Sequence, residues 1–164
     1  MNIRTLGALG ALALLLAACG DDKATTQGAA SGGGGGAGGM TAANVVPGSE
    51  EDLKANVGDR VLFDYDKSTL NDAAKTVLDR QSAWLGRYAS VNVQIAGNCD
   101  ERGTEEYNIV LGQRRAGIAR DYLVAKGVAS SRITTTSYGK DRPVALGSDE
   151  ESWKQNRNAI TEVR

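Results

Sequence analysis

Asp100 and Arg115 are the two charges in this sequence best placed to share one ligand. Asp100 follows the alternating stretch Val91-Asn92-Val93-Gln94-Ile95, which predicts a half-buried strand ending near Gly97 and leaves the carboxylate at its exit. Arg115 falls in the series Leu111, Arg115, Ile118, Tyr122, one face of a helix predicted from Thr104 to about Lys126. Asn108, seven residues before Arg115, shares that face two turns nearer the loop. A strand-to-helix corner offering a carboxylate, a guanidinium fork and backbone N–H groups suits a zwitterion, with Asp100 taking an ammonium and Arg115 a carboxylate. The same residues also fit a structural ion pair, or an arginine whose stem snorkels to the surface. Buried, either charge needs a partner.

The elements that must position these groups are legible in outline. Thr104 is a candidate N-cap with Glu105 and Glu106 in the first turn, and Gly127 is the stop. Val61 to Asp66 predicts a first strand that places Asp64 and Asp66 on one face. Two carboxylates so spaced could hold a metal or work as a glycosidase pair, but a strand end before Lys67-Ser68 accounts for them more simply. Asn71 caps a predicted helix to about Tyr88, whose apolar side is Leu70, Ala74, Val77, Trp84 and Tyr88. The β-branched run Ser131 to Ser137 predicts a third strand with a turn at Tyr138-Gly139. A short helix over Asp149 to Asn156 and a terminal strand over Ala159 to Val163 follow. The order β-α-β-α-β with a terminal strand implies an α+β sandwich, its helices on one face of a small mixed sheet.

Composition sets limits on chemistry. The 164 residues include no histidine, which removes the commonest triads and zinc-hydrolase sites, and the net charge of −1 gives nucleic acid nothing to bind. Of two cysteines, Cys19 ends Leu16-Ala17-Ala18-Cys19, which resembles a lipobox after the basic Arg4 and the apolar run Leu6 to Leu16. Residues 1–18 are therefore read as a lipoprotein signal peptide and Cys19 as the lipidated residue. Cys99 is left as a lone thiol, read as a small packed residue beside the loop, with no intramolecular disulfide open to it. Residues 19–56, with Gly32 to Gly36 unbroken, read as a glycine-rich flexible linker, and residues 57–164 as the folded domain.

Asp100, Gly103, Asn108, Leu111, Arg115 and Ala116 together resemble the signature of the OmpA-like peptidoglycan-binding domain. Asp100-Glu101-Arg102-Gly103-Thr104, Glu106-Tyr107-Asn108, Phe63 to Lys67 and Ser137 to Lys140 are similar to its lipoprotein branch in the Tol-Pal system. The similarity covers about Val57 to Arg164. It implies an OmpA-like fold, no cofactor and no catalysis. The ligand it implies is the diaminopimelate of the peptidoglycan stem peptide, held by Asp100, Arg115, Asn108, Tyr65, Asp66 and Leu111. It further implies TolB and other Tol-Pal components as partners, and an outer-membrane anchor through lipid on Cys19, facing the periplasm. Gly20 after Cys19 is consistent with outer-membrane sorting. Two positions depart from the family: Asn98-Cys99 stands where many relatives have His-Ala or His-Thr, and Asn158 where they often have arginine. The rival classes are an envelope hydrolase using Asp64, Asp66, Asp100 and Glu101, and a protein-only periplasmic adaptor.

Overall fold

Four strands of a mixed sheet position the corner that bears Asp100. The computed structural model describes residues 45–164, so the signal peptide, Cys19 and the glycine-rich tract as far as residue 44 lie outside the described residues. In chain order the elements are α1 (Glu50–Asp52), β1 (Arg60–Leu62), α2 (Asp72–Arg87), β2 (Val93–Asn98), α3 (Glu105–Ala125), β3 (Ile133–Gly139), α4 (Glu150–Asn156) and β4 (Asn158–Val163). The sheet order is β1-β4-β2-β3. β2 runs parallel to β3, and β4 is antiparallel to both β1 and β2. The parallel pair needs a crossover, and α3 supplies it; the terminal strand inserts between β1 and β2 and closes the sheet.

Local chemistry sets the helix ends. Asn71, Thr104 and Asp149 each accept a hydrogen bond from the backbone three residues on, capping α2, α3 and α4. Gly127, at φ 97°, ends α3, and Val128 N–H returns to the carbonyl of Leu123. The core lies between the sheet and α2 and α3, with Val61, Phe63, Leu78, Leu85, Val93, Ile95, Ala116, Ala119, Leu123 and Ile133 all buried. Gln81 is buried among them because its amide donates to the carbonyl of Gly58 and accepts from Thr161.

Three expectations change. β1 ends at Leu62, earlier than the alternation suggested, although Phe63 N–H still donates to the carbonyl of Arg157 at 2.8 Å. Tyr65 and Asp66 then form a turn in which Asp66 has φ 56°. The packed face of α3 is Asn108, Leu111, Gly112, Arg115, Ala116, Ala119 and Leu123, while Ile118 is 41% exposed. Small residues make that face, so the helix sits close to the sheet. The folded part also begins before residue 57: α1 continues through a π-helical turn over Leu53–Val57, and Leu53 is wholly buried in the core.

Candidate functional site

The exit of β2 is shaped by two glycines. A Cβ on Gly97 would fall 1.8 Å from the carbonyl oxygen of Gly112, and one on Gly112 would meet Ser137 Oγ at 2.3 Å. Only glycine at both positions lets α3 lie against β2 this closely. That contact sets Arg115, one turn further along α3, against Asn98 and Cys99. A register shift follows Gly97, and Cys99 N–H donates to the carbonyl of Gly139 at 2.7 Å, which turns the chain toward Asp100.

Arg115 is fully buried and does not pair with Asp100. Its Nε donates to the carbonyl of Lys67 at 2.9 Å, Nη1 to that of Asn98 at 2.8 Å and to Cys99 Sγ at 3.4 Å, and Nη2 to that of Asp64 at 3.2 Å. The guanidinium thus staples the turn after β1 to the exit of β2. Burial pulls its pKa below the ordinary arginine value, partly offset by the nearby Cys99 and Asp100. The structural ion pair between Asp100 and Arg115, one of the open sequence readings, is corrected: backbone carbonyls at the neck of the loop outcompete the carboxylate.

Asp100 pairs instead with Arg102 and Arg157. Oδ1 accepts from the backbone N–H and Nε of Arg102 at 3.2 and 3.1 Å; Oδ2 accepts from Arg102 Nη2 at 2.6 Å and Arg157 Nη1 at 3.3 Å. Burial pushes the carboxyl's pKa up, but the hydrogen bonds and charge of Arg102, then Arg157, outweigh it, and the net shift is downward. Arg157 is held in turn by the carbonyl of Phe63 and by Glu150. Asn98 and Asn158, the two departures from the family pattern, are partners: the Asn98 amide donates to Asn158 Oδ1 at 2.8 Å in the interior beneath this site.

These groups surround a cleft of about 330 Å³, counting the solvent at its mouth. All six residues expected from the sequence, Tyr65, Asp66, Asp100, Asn108, Leu111 and Arg115, line it. Asn108 is buried and its amide donates to the carbonyls of Arg102 and Thr104, so it shapes the loop. Tyr107 donates its hydroxyl to Asp66, which raises the phenol's pKa. The sequence reading missed Arg102, Tyr107 and Arg157 as lining residues. Arg102 and Tyr107 lay inside the motifs already singled out, whereas Arg157 is 57 residues from Asp100 and gives no local signal. Cys99, expected as a packed residue, is buried and free, and burial raises its thiol pKa. Asp64 is exposed beside Lys67, apart from the cleft. Among the described residues no cluster of potential metal ligands occurs.

Comparison with known proteins bears on the family and the fold. The family described as "OmpA family" matches residues 62–157. The peptidoglycan-associated lipoprotein of Mesorhizobium japonicum is 52% identical over 120 residues, which are 73% of this chain and 71% of that protein. That of Rhizobium meliloti is 48% identical over 122 residues, 74% of this chain and 69% of that protein. Among solved structures, the peptidoglycan-associated lipoprotein from Burkholderia pseudomallei superposes with TM-score 0.63 at 40% identity, covering 65% of this chain and 90% of that one. The C-terminal domain of Helicobacter pylori MotB, 18% identical with TM-score 0.61 over 65% of this chain and 84% of that one, shares the fold alone. With its α+β sheet order, its corner of Asp100 and Arg115 and these relatives, the chain belongs to the OmpA family, among the peptidoglycan-associated lipoproteins.

Proposed function

We propose that the cleft binds peptidoglycan non-covalently by the diaminopimelate of its stem peptide, and that the chain tethers the outer membrane to the wall from the periplasmic side. The observation that carries this reading is the convergence of the six expected residues, from three separate stretches of sequence (the turn at Tyr65 and Asp66, the loop at Asp100, and helix α3), on one cleft. A free end of diaminopimelate bears an ammonium and a carboxylate on one carbon. Asp100 and Asp66 supply negative charge for the first. Four of the five N–H groups of Arg115 are bonded to protein; the remaining one, on Nη2, has no protein partner, and Arg115, though wholly buried, lines the cleft where the second would lie. Lipid on Cys19 would anchor the other end, since several acyl chains hold far longer than one.

The chain is a binding protein and not an enzyme. Asp100 is surrounded by donors and its pKa is lowered, the wrong direction for a general acid at neutral pH. Family membership further supports TolB as a partner within the Tol-Pal system, competing for much the same face. Co-sedimentation of the purified domain with intact sacculi tests the proposal. The domain should pellet with the wall and leave glycan and peptide intact; shortened material would indicate a hydrolase, and protein left in solution a protein-only adaptor. Mass spectrometry of the mature N-terminus from native envelope tests the anchor, which an unmodified Cys19 would remove.

A further inference from the structure

The ammonium seat at Asp100 is already occupied from within the protein. Three of the four hydrogen bonds on its carboxylate come from Arg102, two of them from the guanidinium, and Asp100 is left only 4% exposed. A cation arriving from solvent therefore meets Arg102 first. The guanidinium carbon of Arg102 lies 4.1 Å from the ring centre of Tyr65 and 4.0 Å from that of Trp153, a cation held between two aromatic faces. Its side chain is 30% exposed, against 6% for Arg157. Arg157 is fixed by the carbonyl of Phe63 and by Glu150, so of the two cations on Asp100 only Arg102 is placed to exchange with solvent.

We propose that Arg102 is an intramolecular stand-in for the ligand's ammonium, and that wall binding is an exchange in which the ligand cation displaces the Arg102 fork from Asp100. The inference rests on the reading of the cleft as a zwitterion site. The exchange conserves charge: Asp100 keeps Arg157 and replaces one cation by another, so the buried carboxylate is never left unpaired. The displaced guanidinium has a second acid in reach, Glu150, whose Oε2 is 3.9 Å from Arg102 Nη2. Each ligand must compete with a fork already in place, so Arg102 lowers the apparent affinity and screens out ligands that lack a cation. Trp153 stacks on Arg102 without lining the cleft, which makes it a handle on the stand-in that leaves the ligand's own contacts alone.

Calorimetric titration of a diaminopimelate-containing stem peptide into the native domain, Arg102→Gln, Trp153→Leu and Asp100→Asn tests the exchange. Arg102→Gln should bind roughly tenfold more tightly, as expected when one charge-assisted competitor is lost, and Trp153→Leu should shift in the same direction with every charge retained. The same peptide acetylated on the diaminopimelate amine should not bind the native domain. Equal or weaker binding by Arg102→Gln, with its melting temperature preserved, would make Arg102 a direct ligand contact and overturn the exchange. Should Arg102→Gln fail to fold, equal or weaker binding by Trp153→Leu would do the same. If Asp100→Asn binds as well as the native domain, the zwitterion reading itself falls, an outcome distinct from failure of the exchange alone.

Discussion

Arg115 joins a buried charge to three backbone carbonyls from two segments, and its replacement separates structural from ligand-binding roles. Lysine keeps the charge but has no planar fork, so Arg115→Lys leaves carbonyls of Asp64, Lys67 or Asn98 unpaired. Each such group costs about 1–3 kcal/mol, and urea unfolding should show a loss of about 2–5 kcal/mol together with weakened binding. This structural role was not legible in the sequence, because the carbonyls come from residues 17 to 51 positions away and leave no local trace. Asp100 gives a pH signature. Its folded pKa is depressed, so the unfolded state binds more protons and stability rises with pH across that window. Its contribution is complete above the unfolded value of about 3.9 and is lost as pH falls through the lower folded value. Unfolding free energy measured from pH 6 to pH 2 should therefore fall more steeply for the native domain than for Asp100→Asn; parallel curves would contradict the pairing with Arg102 and Arg157.

At the level of elements, the contact of α3 with β2 decides where the site forms. Gly97→Ala puts a methyl group 1.8 Å from the Gly112 carbonyl, so the helix must move off the strand. Overpacking typically costs about 1–3 kcal/mol, and a clash with backbone should reach or exceed the top of that range in a thermal melt. Gly117, in the same helix, has nothing within 4 Å of an added Cβ, and Gly117→Ala should instead stabilise by about 0.5–1 kcal/mol. Opposite signs from two glycine-to-alanine changes would show that close approach, and not helix propensity, governs Gly97. The caps at Asn71, Thr104 and Asp149 were legible because capping acts within three residues. The packed face of α3 was only partly legible. A hydrophobic pattern picks out large residues such as Ile118, whereas this face is built from Gly112, Ala116 and Ala119 with a buried arginine among them. The end of β1 was hidden for another reason, since its partner is β4 at the far end of the domain, with Arg60 opposite Ile160 and Leu62 opposite Asn158.

For the whole molecule, the domain is closed by residues that composition assigned to the linker. Leu53 is wholly buried, Asp52 accepts from the indole N–H of Trp84 at 2.9 Å, and Glu50 accepts from Val163 N–H at 2.6 Å. Glycine-rich sequence hides this boundary, because one leucine and two acids after a low-complexity tract carry little periodicity. A chain truncated to begin at Val57 should lose at least the cost of a buried leucine, about 2–5 kcal/mol, by denaturant unfolding against the chain beginning at Val45. The central claim is that one cleft recognises both charges of a diamino acid end. Its most direct test is calorimetric titration of two stem peptides, one with the diaminopimelate carboxylate free and one with it amidated, into the native domain and Asp100→Asn. Losing one charge-assisted partner of a desolvated pair costs about 2–5 kcal/mol, so amidation and Asp100→Asn should each weaken binding by roughly 30-fold or more. Equal affinities for both peptides in both proteins would contradict the account.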